Sequence, residues 1–279
     1  MKLYKFLSQN FVSFSTKPLV YNYKPVDMET RILVLNRIEL KNALNSEMIS
    51  QLNENISNII KTLSPTESCL IIKSNLPGIF CAGADLKDRK TIPIEKIPKY
   101  VSHCREAFNR INRLDIATIA AIDGYALGGG LELALACDIR ICSESAKVGL
   151  PESKLGILPG AGGTARLPRL IGQSKAKELM FTGRILSGCE ASRISLVNES
   201  VPNNETFDSA FQRSLEIAKS INRNGPLSIR YIKKCVDHEN MDVSLKLEDY
   251  YYKKITKSHD RTEGLNAFLE KKTPKYTGY

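Results

Sequence analysis

One acidic residue stands where an uncharged side chain would be expected. Glu132 lies in the apolar segment Leu131–Ala136 (LELALA), directly after Gly128, Gly129 and Gly130. Burying a carboxylate there costs several kcal/mol unless it is paired, hydrogen-bonded or protonated. Glycines let a ligand approach the backbone, and the first turn of a helix offers unpaired N–H groups that can hold a negatively charged oxygen. The segment predicts an acid/base carboxylate beside an oxyanion site, with a structural glutamate and a simple packing turn as the alternatives.

A second candidate carboxylate is Glu152, which follows Pro151 in a predicted loop. Two close carboxylates push each other's pKa values apart, so that one can act as a base while the other donates a proton. The residues alone do not show that Glu132 and Glu152 meet, and a solvated loop glutamate is the alternative. If they do meet, they form a general acid and base pair.

Other common catalytic and binding patterns are missing from the sequence. The run Gly160–Thr164 lacks the Lys-Ser/Thr ending of a phosphate-binding P-loop, and no GxGxxG follows the first predicted strand. There is no GxSxG nucleophile motif. The seven cysteines show no CxxC spacing, which indicates free thiols in a reducing compartment rather than disulfides or a zinc site.

The segments that carry this chemistry lie between elements that alternate as in an α/β protein with largely parallel strands. Short apolar runs predict strands at Arg31–Asn36, Cys69–Lys73, Ala117–Ile122 and Ile139–Cys142, and helical periodicity predicts helices at Ser46–Leu63, Tyr100–Leu114 and Leu131–Cys137. After Gly160 strand signals fade, and helices are predicted over residues 173–183, 205–223, 226–238, 242–257 and 260–271. Asp260 and Glu263 resemble a capping box for the last helix.

Composition and charge limit the function classes further. The chain is 42% hydrophobic and 25% charged, as folded globular proteins are, and it has no apolar run of the ~20 residues that a membrane-spanning helix needs. The net charge of +10 favours anionic partners such as phosphorylated cofactors, nucleic acid or acidic lipid, although solubility alone also explains it. Residues 1–26 contain lysines but no acidic residue, like a mitochondrial transit peptide, and they also lack arginine. An unstructured leader is the alternative.

Three motifs in this order resemble the crotonase (enoyl-CoA hydratase/isomerase) superfamily over nearly the whole chain. They are Ala82–Asp85 (AGAD), Gly128–Glu132 and Pro151-Glu152. The segments Phe80–Lys87 and Leu131–Arg140 and the ending Lys272–Tyr276 most resemble the mitochondrial branch that contains RNA-binding methylglutaconyl-CoA hydratases and enoyl-CoA hydratase domain-containing proteins.

The resemblance implies a fold and a division of the chain. The fold is an α/β spiral of ββα units with a C-terminal helical region. Residues 1–26 are then the leader, residues 27–205 the core and residues 206–279 a helical region for oligomerisation. Two departures from the family pattern, Ile38 in place of a usual proline and Ser195 in place of a usual glycine, affect local turns rather than chemistry.

The resemblance also implies an activity, that of an enoyl-CoA hydratase, which adds water across the 2,3 double bond of a 2-enoyl-CoA thioester. The oxyanion hole maps onto the backbone N–H groups of Ala84 and Gly129, and the acid/base pair maps onto Glu132 and Glu152. The coenzyme A thioester is the substrate, and no metal or other cofactor is implied. The implied substrate-binding residues are Ala82, Ala84, Asp85, Leu86, Lys87, Gly128, Gly129, Phe268 and Lys271.

Partners and location follow from the same resemblance. It implies a homotrimer or homohexamer in the mitochondrial matrix, acting in the breakdown of fatty acids or of branched-chain amino acids such as leucine. RNA-binding relatives carry a row of lysines on the first helix, whereas this chain has asparagines and glutamates between Lys41 and Lys61, which argues against RNA binding. The functional alternatives are an enoyl-CoA isomerase, an RNA-binding homologue and a coenzyme A-binding scaffold without activity.

Overall fold

The computed structural model describes residues 18–238 and 240–279. The strands of this part are β1 Val20–Tyr23, β2 Thr30–Leu35, β3 Cys69–Ser74, β4 Gly78–Cys81, β5 Ala117–Ile122, β6 Gly124–Leu127, β7 Ile139–Ser143, β8 Lys147–Gly149, β9 Ile185–Ser187 and β10 Glu199–Val201. The helices are α1 Ser46–Thr62, α2 Leu86–Thr91, α3 Ile97–Asn112, α4 Gly129–Leu135, α5 Gly163–Ile171, α6 Gln173–Thr182, α7 Gly188–Arg193, α8 Ser209–Asn222, α9 Pro226–Val236, α10 Met241–Ile255 and α11 His259–Leu269. Short 3₁₀ turns lie at Ile38–Leu40, Ile94–Lys96 and Glu152–Leu155.

Two sheets form the core of the molecule. The larger has the order β1-β2-β3-β5-β7-β10, and its strands are parallel except for β1, which runs antiparallel to β2. The smaller has the order β4-β6-β8-β9, with only β9 antiparallel. The chain repeatedly places one strand in the large sheet, the next in the small sheet, and then a helix. This confirms the predicted α/β spiral of ββα units.

Packing on both faces of the large sheet holds the spiral together. One face meets α1 and α3, whose apolar sides include Leu52, Ile56 and Phe108, all fully buried. The opposite face is covered by α8, where Ala210 and Ala218 pack over the strands. Because parallel strands covered on both faces must be apolar throughout, β3 and β5 have the continuous hydrophobic runs from which they were predicted.

The structure corrects several predictions at the ends and in the second half. Val20–Tyr23 is a strand paired with β2, so the folded region begins before the predicted end of the leader at residue 26. Residues 1–17, which hold the rest of that leader, lie outside the described residues. Strands β9 and β10, and helices α5 and α7, were not predicted, because strands of three residues and helices of fewer than three turns are too short to show a period.

The predicted capping box at the start of the last helix is wrong. Ser258 is the N-cap of α11, and its side chain accepts a hydrogen bond from Arg261 N. The Asp260 carboxylate instead accepts from the backbone N–H groups of Thr277 and Gly278, at 2.7 and 2.8 Å, and so fixes the C-terminal residues against α11. In residues 18–238 and 240–279, no helix has the length and apolarity that crossing a membrane requires.

Candidate active site

Two glycine-rich turns, one after β4 and one after β6, pack backbone to backbone. Gly83 has a φ of 97° and Gly128 a φ of 51°, both in the region that favours glycine. A Cβ atom on Gly83 would lie 2.6 Å from Leu127 O and 3.5 Å from Gly129 N. No other residue type fits at Gly83, so the close approach of the two turns depends on its missing side chain.

This packing brings two backbone donors together. The Ala84 nitrogen lies 3.8 Å from the position that a Gly129 Cβ would occupy. Gly129 is the first residue of α4, whose N-terminal N–H groups have no acceptor within the helix. Neither N–H has a hydrogen-bond partner in residues 18–238 and 240–279. Two free donors beside a helix N-terminus can bind one oxygen that gains negative charge.

Glu132 lies in the first turn of α4 and is only 3% exposed. Its Oε1 accepts hydrogen bonds from Ala161 N and Gly163 N, both at 2.8 Å. Burial raises the pKa of the Glu132 carboxyl, while the two N–H donors and the charge of Arg166 act in the opposite direction. The carboxylate that the sequence places among apolar neighbours is therefore hydrogen-bonded by a loop that is distant in the sequence.

Two arginines hold that loop in place. Arg105 Nε donates to Gly160 O at 2.8 Å, and Arg166 Nη1 donates to Ala161 O at 3.2 Å. The second guanidinium nitrogen of Arg166 donates to Asn109 Oδ1 on α3. The glycine-rich run that resembled a phosphate loop thus positions N–H groups toward a carboxylate of the protein itself.

Glu152 begins the 3₁₀ turn after Pro151 and is 8% exposed. Its Oε2 is buried and has no hydrogen-bond partner among the described residues. A Cβ on Gly128 would lie 3.0 Å from its Oε1, so the carboxyl sits against the second glycine turn. Burial, together with the negative charge of Glu132, raises the pKa of Glu152 to about 7.

A single cavity of about 170 Å³ joins these groups. Of the residues predicted from the sequence, it is lined by Ala82, Ala84, Leu86, Gly128, Gly129, Glu132 and Glu152. Much of the remaining wall is apolar and comes from α3 and from the segment after Glu152, including Val101, Phe108, Leu155, Ile157 and Leu158. The cavity can therefore hold an apolar chain whose reactive carbon atoms lie next to both carboxyls.

Four predicted binding residues lie elsewhere. Asp85 caps α2 through Lys87 N and Asp88 N and accepts a hydrogen bond from Arg37 at 2.8 Å, and it does not line the cavity. Lys87 is exposed on α2 and does not line the cavity either. Phe268, 82% exposed, and Lys271 lie at the end of α11, also outside the lining.

Three site features were not found from the sequence. The donors Ala161 N and Gly163 N belong to the backbone, and no residue type signals them. Tyr100 lines the cavity, and its hydroxyl donates to Leu44 O at 2.9 Å. Arg89, on α2, also lines the cavity. Arg89 lies three residues after Leu86 and so on the same face of the helix, and this spacing was the one feature of the sequence that could have indicated it.

Comparison with known proteins identifies relatives of the whole fold. The family model for enoyl-CoA hydratase/isomerase matches residues 30–279. The chain is 43% identical to a protein of Arabidopsis thaliana named probable enoyl-CoA hydratase 2, mitochondrial, over 98% of this chain and 93% of the relative. It is 44% identical to human mitochondrial methylglutaconyl-CoA hydratase over 88% of this chain and 73% of the relative. The crystal structure of an enoyl-CoA hydratase from Bacillus anthracis superposes with a TM-score of 0.87 at 38% identity, covering 94% of this chain and 100% of that one.

Proposed function

Because this chain belongs to the enoyl-CoA hydratase/isomerase family and is an enzyme of the hydratase class, we propose that it adds water across the 2,3 double bond of a 2-enoyl-CoA thioester. The observation that carries this proposal is the meeting of two buried carboxyls and two unpaired backbone donors in one cavity. Neither pair would be sufficient alone, since hydration needs charge stabilisation on one oxygen, removal of a proton from water and protonation of C2.

The backbone donors hold the thioester. Its carbonyl oxygen accepts hydrogen bonds from Ala84 N and Gly129 N, and as the β-carbon is attacked this oxygen becomes enolate-like. Both donors are already in place before the reaction, so no reorganisation is required when the charge develops. Removal of one such donor typically raises the barrier by about 2.7–4 kcal/mol.

The two glutamates move the protons. Glu132, whose negative charge is stabilised by two N–H groups, accepts a proton from water, and the resulting hydroxide oxygen bonds to C3. Glu152, whose pKa of about 7 leaves much of it protonated near neutral pH, donates its proton to C2. The thioester gains one water, and exchange of protons with solvent restores both carboxyls.

We further propose that no cofactor takes part, since the coenzyme A thioester itself is the substrate. Ala82 and Leu86 line the cavity, which supports a coenzyme A portion that lies beside α2, with the exposed Lys87 near its phosphates. Phe268 and Lys271 would contact coenzyme A from a neighbouring subunit. Exposed apolar residues on the C-terminal helices, among them Ile232, Val236, Leu245 and Leu269, support a homotrimer or homohexamer.

A mitochondrial location is supported by the relatives, which carry that location in their names. We propose that the chain acts in the matrix, with a transit peptide before the first strand, in the breakdown of fatty acids or of branched-chain amino acids such as leucine. RNA binding is not part of this proposal, because α1 carries Asn and Glu residues where a lysine row would be needed.

The test is hydration of crotonyl-CoA by the full chain. The reaction is measured as the loss of the ultraviolet absorbance of the conjugated thioester. We expect 3-hydroxybutyryl-CoA as the product, and turnover by the double variant Glu132→Gln/Glu152→Gln to be lower by at least about 10²-fold. Conversion of a 3-enoyl-CoA to a 2-enoyl-CoA without hydration would instead make the chain an isomerase. Binding of the thioester without either reaction would leave a scaffold.

A further inference from the structure

Ala84, whose N–H is one of the two donors of the proposed oxyanion hole, lies in the connection between strand β4 and helix α2. It is held there by an isolated parallel bridge with Leu44. Leu44 N donates to Gly83 O at 2.7 Å, and Leu44 O accepts from Asp85 N at 2.8 Å. Two backbone hydrogen bonds, and no longer ladder, therefore hold this donor in position.

The same bridge sets the direction of the Ala84 N–H. In a parallel bridge, the partner bonds to the peptide groups before and after the central residue, whose own N–H and C=O point to the other side. The Ala84 N–H is thus directed away from the backbone of Leu44. Gly129 lies close to it, since Ala84 N is 3.8 Å from the position of a Gly129 Cβ. A shift of Leu44 would therefore move one donor relative to the other.

One guanidinium nitrogen connects the two chains of this bridge. Arg37 Nη1 donates to Ala43 O at 2.7 Å and to Asp85 Oδ2 at 2.8 Å. Ala43 precedes Leu44 and Asp85 follows Ala84, so each contact lies one residue from the bridge. The side chains of Arg37 and Asp85 are only 13% and 9% exposed. Their charges are therefore largely shielded from water, where attraction is stronger than between exposed groups.

Asp85 is also fixed by helix α2. Its Oδ1 accepts hydrogen bonds from Lys87 N at 3.0 Å and from Asp88 N at 3.2 Å. Burial raises the pKa of the Asp85 carboxyl, but these N–H groups and Arg37 together lower it below its ordinary value. An ionised Asp85 thus joins Arg37 to the start of α2. This acid supports the turn from outside the cavity, which it does not line.

Arg37 and Tyr100 both support the bridge, but only one of them lines the cavity. Arg37 N donates to Asn42 Oδ1 at 2.8 Å, and Asn42 Nδ2 donates to Phe80 O on β4, so the arginine is tied to the core. The Tyr100 hydroxyl donates to Leu44 O, but Tyr100 lines the cavity and its replacement would also change the acyl pocket. Arg37 does not line it, so its effect on the donor can be measured alone.

We propose that Arg37 is a positioning residue of the oxyanion hole, which acts through Ala43 and Asp85 on the Ala84 N–H. This inference rests on the hydratase activity proposed above. The thioester oxygen gains negative charge during the reaction, so a displaced donor loses more stabilisation in the transition state than in the bound substrate. The expected signature of a change at Arg37 is therefore a lower kcat with KM nearly unchanged.

A purely structural ion pair is the competing role, and Arg31 provides the matched control for it. The Arg31 side chain is 11% exposed, and its Nε donates to Glu67 Oε2 at 3.0 Å. Arg31 lies on β2 and does not line the cavity. Loss of either arginine leaves a buried carboxylate without that partner and lowers stability. Only the pair of Arg37 and Asp85 reaches the oxyanion turn.

The experiment measures crotonyl-CoA hydration and, separately, the pKa of bound acetoacetyl-CoA, which ionises to an enolate with its own ultraviolet absorbance. We expect Arg37→Met to lower kcat about tenfold with KM within about twofold, a part of the about 10²–10³-fold loss of a whole donor. The pKa of bound acetoacetyl-CoA should rise by about one unit, which is the same factor. Arg37→Lys should recover part of both, because one nitrogen makes both contacts. Arg31→Met should keep both parental values despite its lower stability.

Equal changes in Arg37→Met and Arg31→Met would overturn the inference, and so would a lower kcat in Arg37→Met with an unchanged pKa of bound acetoacetyl-CoA. If Arg37→Met does not fold, Asp85→Asn takes its place, because asparagine still caps α2 but carries no charge. A smaller rise of the same pKa is expected there, and no rise would overturn the inference. A parent chain that does not hydrate crotonyl-CoA would remove the proposed function, whereas the enolate titration would still test Arg37.

Discussion

Glu132 and Glu152 line the same cavity but are held in different ways. Glu132 Oε1 lies at the positive end of a helix and accepts hydrogen bonds from two backbone N–H groups, both at 2.8 Å. Glu152 Oε2, in contrast, is buried and has no hydrogen-bond partner among the described residues. Negative charge is stabilised at the first position and not at the second. In the proposed mechanism, backbone donors rather than the side-chain type would make one of two identical acids the base and the other the proton donor.

The largest expected effect is on turnover. We expect Glu132→Gln and Glu152→Gln each to reduce kcat for enoyl-CoA hydration by about 10²–10⁴-fold, because each removes one proton-transfer group. The double variant should be little worse than either single variant, since the pair acts as a unit. Steady-state kinetics measure this, with exposed Glu205→Gln as the control. A single variant that stays folded and retains parental kcat would remove that glutamate from the mechanism.

The second-largest expected effect is on the free energy of unfolding, which should depend on pH through Glu152. The folded pKa of Glu152 is about 7 against an ordinary value of 4.5, so between these pH values the folded chain keeps a proton that the unfolded chain has lost. Stability due to this group is therefore present below pH 4.5 and decreases as pH rises to 7, by roughly 3 kcal/mol. Glu152→Gln should lack this decrease, so urea unfolding of parent and variant across this range should diverge. Parallel curves would contradict the raised pKa.

The pH dependence of kcat should also distinguish Glu152 from Glu132. Because Glu152 must be protonated to donate, kcat should fall about tenfold per pH unit above a pKa near 7. The residual activity of Glu152→Gln should lose this alkaline decrease, and Glu132→Gln should keep it. An alkaline decrease that persists in Glu152→Gln would assign it to another group.

The smallest effect concerns the loop that supports Glu132. Arg166→Met removes the hydrogen bond to Ala161 O and a charge that lowers the pKa of Glu132. We expect kcat to fall roughly fivefold, the equivalent of about 1 kcal/mol for one hydrogen bond, and the acid side of the pH profile to shift to higher pH. Arg113→Met, on a mostly exposed side chain of the same region, is the control. A lower kcat without that shift would mean a purely structural role.

Most of the fold and most side chains of the candidate site could be predicted from the sequence, for physical reasons. A glutamate in LELALA is unusual enough to be noticed, and long apolar strands such as β3 and β5 reveal themselves by composition. The N–H donors of Ala161 and Gly163 could not be found, because every residue but proline has an N–H and only the fold aims it. Arg89 and the three-residue strands were missed since one cation, or three residues, form no pattern.

The most direct test of the divided roles is a carbon-13 NMR titration of the glutamate carboxyls in the full chain, assigned with Glu132→Gln and Glu152→Gln. The account predicts that the resonance lost in Glu152→Gln titrates near pH 7, and that the one lost in Glu132→Gln is already ionised at that pH. A Glu152 resonance that titrates near 4.5, or a Glu132 resonance that is still protonated at pH 7, would contradict the assignment of base and acid.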